Sequence, residues 1–314
     1  MKGFKIKASN RVWILAISFS TFLIFSVVLD VAISYYAKTL ETEPKPISTV
    51  NIPSYPVLPG TVLPVISAKS VIVMDDSSKT VIFARNPNFR FSTASTAKIM
   101  TALVALDSYK MDDVLTVSSN DIAPFVMGFK VAEQIKFSDL LYSLLLPSAN
   151  DAALIIAQNY PGGTEKFVDK MNEKANILHL QNTHFGDPAG LMDDLDYTTV
   201  LDLARLASSA LTNKKFAQIV STKHKVFTSS NGTIYSIYNR NKLLGIDGID
   251  GVKTGYTEEA GEVLVTSKVK NGKRFIVAVM GSDDRFLDTL TLLNLVSDKV
   301  TYLPIHPKLP IQKP

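Results

Sequence analysis

The chain has no cysteine among its 314 residues. Disulfides, cysteine-ligated zinc, iron–sulfur clusters and a cysteine nucleophile are excluded together. Histidine is scarce as well. His179, His184, His224 and His306 match no metal-ligand spacing and read as structural or surface residues. No metal or other cofactor is expected. A basic surplus is missing from most of the chain. Lys2, Lys5, Lys7 and Arg11 precede the first apolar run; with those four set aside from the 33 lysines and arginines, 29 remain against 29 acids. A nucleic-acid partner is therefore not expected. No internal repeat and no low-complexity segment is found. Apolar residues are not lacking: at 46% hydrophobic the chain is globular rather than disordered.

The ends are set apart by composition. Residues 13–29 carry no charge, and after Asp30 the apolar run continues over 31–37. That is long enough to cross a bilayer as one helix. The basic residues ahead of it predict a cytoplasmic tail over residues 1–12, a membrane segment over 13–36 and export of everything that follows. A cleaved signal, cut near Ala32-Ile33-Ser34, is the competing reading. Residues 37–66 hold six of the fifteen prolines and read as an extended tether, its last ten residues alternatively wrapped on the domain. Residues 301–314 form a proline-rich tail. The catalytic part is expected over 67–300.

Within it, residues 71–74 and 80–83 read as a hairpin, as do 262–269 and 273–280 around Asn271-Gly272. Helical spacing falls on 95–106, capped by Ser92 or Thr93, and on 140–146, 152–157, 200–211 and 286–296. Asp202 and Arg205 read as a solvated helix face. Strands at both ends with helices between predict an α+β fold: an antiparallel sheet flanked by helices, with a helical insertion.

Three short motifs carry chemistry. Ser95-Thr-Ala-Lys98 places an amine three residues from a hydroxyl, on one helical face, where a lysine with a lowered pKa can activate a serine. Ser148-Ala-Asn150 follows Pro147 between two helices and can project a hydroxyl and a carboxamide into a cleft; either residue alternatively caps the next helix. Lys253-Thr-Gly255 follows a glycine-rich turn and suits a carboxylate ligand beside a strand edge. Singly, each is also an ordinary capped helix or turn.

Together and in this order they resemble the serine D-Ala-D-Ala carboxypeptidases, low-molecular-mass penicillin-binding proteins of the wider serine β-lactamase and transpeptidase group. The likeness runs from about residue 67 to 293 and includes residues 95–106, 139–153, 241–244, 250–257 and 279–282. It implies Ser95 as acylated nucleophile, Lys98 as its base and Ser148 as proton relay. Asn150 would hold the substrate backbone; Lys253 and Thr254, followed by Gly255, would receive the terminal carboxylate. The N–H groups of Ser95 and Tyr256 would form the oxyanion hole, and Arg285 falls where relatives often carry an arginine near the carboxylate. Mutual repulsion of the two lysines is expected to leave Lys98 neutral and Lys253 charged. The implied partners are peptidoglycan stem peptides, β-lactams as covalent inhibitors, and the membrane through residues 13–36.

The sequence departs from the family pattern at Ala149, where glycine is usual, and in a short segment over 107–128 expected to reshape the cleft rim. The C-terminal β-domain and anchor helix of many relatives are not expected, the N-terminal helix taking the anchor's place. A β-lactamase, a D,D-endopeptidase and an inactive wall-binding or β-lactam-sensing module are the alternatives.

Overall fold

The computed structural model describes residues 8–40, 54–60, 64–119, 125–192, 194–296 and 299–304. It divides into two units, Met1–Ile52 and Pro53–Pro314. The first holds α1 (Ala8–Leu40), whose apolar span Leu15–Lys38 covers 24 residues at a mean hydropathy of 2.2. Its apolar residues lie on every side rather than along one stripe, and the span is long and apolar enough to cross a membrane.

The second unit is built on a five-stranded antiparallel sheet. Its order is Ile249–Thr257, Gly261–Lys270, Lys273–Ser282, Ser70–Asp75, Val81–Arg85. Strand alternation divides the apolar residues between two layers. Val71, Val73, Leu264, Val277 and Val279 pack with Leu292, Leu293 and Val296 of α8 (Arg285–Val296) on one face. Ile72, Met74, Val263, Val265, Ile276, Ala278 and Met280 face the main core with the remaining helices. Burial on both faces explains why the inner strand Ser70–Asp75 reads as an unbroken apolar run over 71–74.

The helical insertion comprises α2 (Lys98–Ser108), α3 (Phe137–Leu145), α4 (Asn150–Gln158), α5 (Gly163–Ile177), α6 (Val200–Leu211) and α7 (Lys214–Val220). In α3 the buried residues Phe137, Leu140, Leu141, Leu144 and Leu145 recur at helical spacing. The helix α5, with a polar surface and only Phe167, Met171 and Ala175 buried, has too thin an apolar stripe to announce itself in the sequence. Between α7 and the sheet lies the hairpin His224–Thr228 with Ile234–Tyr238. The tether and tail regions each supply a strand, Tyr55–Val57 pairing with Thr301–Leu303. Tyr302 donates a 2.8 Å hydrogen bond to Asp75.

Three local expectations need correction. Thr93 makes no side-chain cap, while the Ser92 hydroxyl accepts from the Ala94 N–H at 3.4 Å; Ser95 sits in a 3-10 turn, Ala94–Ala97, and α2 begins at Lys98. Neither Ser148 nor Asn150 caps α4, whose N-cap is Ala149 without a side-chain bond. Asp202 is buried rather than solvated, accepting from the Asn182 N–H and the Thr183 hydroxyl.

Asp288 in α8 closes the sheet against the start of the domain. It accepts from the Ser67 N–H and hydroxyl, the Ala68 N–H and the Ser282 hydroxyl at 2.6–3.0 Å. Burial pushes its pKa up, but those hydrogen bonds outweigh it and hold the carboxyl below its ordinary value. Its stabilising effect is thus present above the ordinary carboxylate range and lost as pH falls through the lowered value. Asp288→Ala leaves four donors unmatched and is expected to cost roughly 2–4 kcal/mol in urea unfolding, with the deficit shrinking at acid pH.

Candidate active site

Ser95 and Lys98 are brought together by the 3-10 turn. Residues three apart eclipse in that geometry, so the lysine stem rises directly over the serine. Lys98 is fully buried, and its Nζ lies 2.9 Å from Ser95 Oγ, 2.6 Å from Asn150 Oδ1 and 2.7 Å from the Ala189 carbonyl. Two of these partners can only accept. A neutral amine has two hydrogens to give them, which turns its lone pair toward the Ser95 hydroxyl. Burial lowers the Lys98 pKa to about 7; Asp187 and Asp196 resist the shift and Arg240 adds to it. The amine therefore loses its proton in the neutral range.

Pro147 ends α3, and Ser148 takes a left-handed φ of 68° that turns its hydroxyl back toward the sheet. Ala149, at φ −64° and ψ 126°, has a conformation open to any residue, so glycine is not required there. Ser148 Oγ accepts from Lys253 Nζ at 2.7 Å, and the same amine donates to the Thr254 carbonyl at 2.8 Å. Lys253 is 2% exposed. Burial, then the Lys98, Arg240 and Arg285 charges, hold its pKa well below the ordinary value. Lys253 is thus depressed along with Lys98, because both amines are buried and other positive charges lie near each.

The strand Ile249–Thr257 is an edge of the sheet and runs beside the nucleophile's turn. A side chain at Gly255 would begin 3.3 Å from the Ser95 backbone nitrogen and 3.2 Å from Ala94 Cβ, so glycine lets the two backbones approach. Arg285 opens α8, donates to the Gly255 carbonyl at 2.8 Å and takes its own N–H to Glu262.

Ser95, Ser148, Thr254, Gly255, Tyr256 and Arg285 line one pocket, with Lys98, Asn150 and Lys253 buried around it. All nine expected residues are thus gathered. Sequence reasoning missed two further lining residues, Phe125 and Arg240. The Arg240 guanidinium stacks over the Phe125 ring at 4.7 Å. Arg240 precedes the segment 241–244 that carries part of the family likeness, which was the available signal. Phe125 gave none: it is placed by its carbonyl accepting from the Asn150 N–H at 2.9 Å, and by Asp151 accepting from Met127 and Gly128. That clip shapes the rim where the short segment 107–128 was expected to matter; residues 120–124 of it lie outside the described residues. His184 and His224 stack on Tyr197 and Tyr238, and His306 lies outside the described residues.

The pocket presents a serine, an amine base and several cations, with no acidic lining residue among those described. The family model for D-alanyl-D-alanine carboxypeptidases, the S11 peptidases, matches residues 59–284. The chain belongs to that family. Members similar to it include a D-alanyl-D-alanine carboxypeptidase of Bacillus subtilis, 32% identical over 223 residues, which cover 68% of this chain and 57% of the other. A D-alanyl-D-alanine endopeptidase of Pseudomonas aeruginosa is 33% identical over 255 residues, 77% of this chain and 82% of the other. The crystal structure of the Streptomyces K15 DD-transpeptidase superimposes with a TM-score of 0.70 at 32% identity, covering 76% of this chain and 99% of that one. The α+β fold of this serine peptidase is that of the DD-peptidases.

The two lysines are expected to separate on mutation. Lys98→Arg leaves no usable base and should reduce β-lactam acylation by about 10²–10⁴-fold. Lys253→Arg should retain measurable acylation and chiefly weaken capture of substrate. In the wild type the acylation rate should rise with pH through about 7, as Lys98 loses its proton. Stopped-flow acylation across pH reads all three; equal loss in both variants overturns the division of roles.

Proposed function

We propose that this protein is a serine D,D-carboxypeptidase that removes the terminal D-alanine of peptidoglycan stem peptides through an acyl-enzyme on Ser95. The observation that carries the reading is the buried Lys98 amine 2.9 Å from Ser95 Oγ, with its other two partners able only to accept. Ser95 Oγ attacks the carbonyl between the two D-alanines while Lys98 takes its proton. The N–H groups of Ser95 and Tyr256 receive the oxyanion, a placement supported by the close approach of Gly255 to the Ser95 nitrogen. Ser148, its hydroxyl held by Lys253, relays the proton that Lys98 took to the leaving amine, which leaves Lys98 a free amine again. The departing carboxylate lies toward Thr254, Lys253 and Arg285, and its charge restores the Lys253 proton affinity that burial removes. Asn150 holds Lys98 and faces the substrate backbone. Water then cleaves the ester with Lys98 again as base. A β-lactam acylates the same serine and stays. Cleavage of D,D cross-links uses the same groups.

Ser95→Ala is expected to abolish covalent penicillin labelling and D-alanine release while leaving the thermal unfolding transition in place. Intact-protein mass spectrometry decides it: an adduct persisting on the variant moves the nucleophile elsewhere.

Localisation follows from α1, which we take as a single-pass anchor with the catalytic unit outside the cytoplasm. Protease added to intact cells should cut within residues 37–54 and spare a tag placed before Lys2. A digested tag reverses the orientation, and a mature chain starting near Tyr35 replaces the anchor by a cleaved signal.

A further inference from the structure

Of the aspartates in the loop of residues 186–196, Asp187 and Asp196 are buried, and the chemistry above does not use them. Asp196 is fully buried and Asp187 is 9% exposed. Asp187 accepts from four backbone N–H groups: Ala189 and Gly190 on Oδ1 at 2.5 and 2.9 Å, Leu191 and Met192 on Oδ2 at 2.7 Å each. Asp196 accepts from Gly186 on Oδ1 at 2.8 Å and from Met192 on Oδ2 at 3.1 Å. Both Oδ2 atoms therefore converge on the single N–H of Met192. Two carboxylates crowded on one donor in a dry loop repel each other, which favours a proton on one of them.

This loop is docked on the nucleophile's helix. Ala189 offers its carbonyl to Lys98 Nζ at 2.7 Å, and Pro188 takes the Thr101 hydroxyl at 2.6 Å. The Asp196 carbonyl accepts from the Thr93 N–H at 3.3 Å. Gly190, at φ +76°, lies so close that a Cβ there would fall 1.9 Å from the Ala94 carbonyl oxygen. The four N–H groups bound by Asp187 include that of Ala189 itself. The carboxyl pair thus fixes the peptide that supplies one of the two acceptors of Lys98.

We propose that Asp187 and Asp196 are a positioning pair for Lys98: joined by a shared proton, they hold the Ala189 carbonyl against the amine and place one negative charge, not two, behind it. The inference rests on Lys98 being the base for Ser95. Asp187 contributes the charge that keeps the Lys98 amine from falling further, and burial together with Asp187 raises Asp196 to about 8. The other groups facing Lys98 are Arg240, after the hairpin, and Lys253 on the edge strand. Near the pair, His184 bonds the Leu195 carbonyl through Nδ1, Arg90 lies over Tyr197, and Asp202 is committed to Asn182 and Thr183.

The sign of the effect is fixed by the raised Asp196. Its proton binds the folded state from the ordinary carboxylate range up to about 8, so the stability it brings is lost as pH rises through that window. Above it, a second charge raises the Lys98 proton affinity and loosens the loop. The test uses the full-length chain in detergent, with acylation by a β-lactam measured from pH 5 to 10. Wild type should gain rate through about 7 and lose it above about 8. Asp196→Asn, with the charge fixed at one, should keep the acid limb and lose the alkaline one. Adding Asp187→Asn to it removes the remaining charge and should move the acid limb to lower pH by on the order of one unit. A uniform fall in rate with neither limb moved means the pair is only structural and overturns the proposal. Infrared spectra of the wild type should also show one buried carboxylic acid ionising near pH 8; silence there overturns it even if the variants do not fold. Failure of the base assignment itself would show instead as undiminished acylation in Lys98→Arg.

Discussion

The structure turns on one constraint: an amine taken entirely out of water must find partners that suit its neutral form. Lys98 meets it with two oxygens that can only accept, from Asn150 and Ala189, and one hydroxyl that can give its hydrogen. A buried ammonium is costly, and burial lowers the proton affinity of Lys98 against the opposing charge of Asp187. Each partner comes from a different element. Asn150 begins α4, Ala189 sits on the loop before α6, and Ser95 precedes Lys98 on its own turn. The helical insertion is in that sense organised around a single nitrogen.

The sheet supplies the other wall. Its edge strand carries Lys253, Thr254 and Gly255 past Ser95, with the backbones close enough that a side chain at Gly255 would crowd Ala94 and Ser95. An edge strand has unpaired peptide groups, which is what an extended stem peptide needs in order to bind beside it. The same wall brings a second buried amine to the pocket. Lys98, Lys253, Arg240 and Arg285 then act on one another, which favours an anionic ligand and leaves the empty site short of negative charge.

How much was legible beforehand follows residue by residue. The sheet strands were readable because β-branched runs and the Asn271-Gly272 turn are local signals. Their ends moved by only one or two residues. The helix α5 went unseen because its polar surface leaves little periodicity, and the hairpin at His224–Thr228 and Ile234–Tyr238 because exposed and buried positions mix apolar with polar residues. Asp202 looked solvated because a charged residue on a helix usually is. Only the neighbouring turn at Asn182 and Thr183 made it a buried acceptor.

The sequence by itself determined the family, the order of the three motifs and seven of their residues, because spacing within a turn or strand is set by local geometry, and it named Tyr256 and Arg285 through the family likeness. Tertiary structure alone decided what those residues are electrically. That Lys253 is depressed as well as Lys98, that Arg240 and Phe125 close the pocket, and that two aspartates share a donor behind the base depend on burial and on contacts between residues tens of positions apart. Charge in water is a property of the residue; charge in a dry pocket is a property of its neighbours, and those neighbours are chosen by the fold.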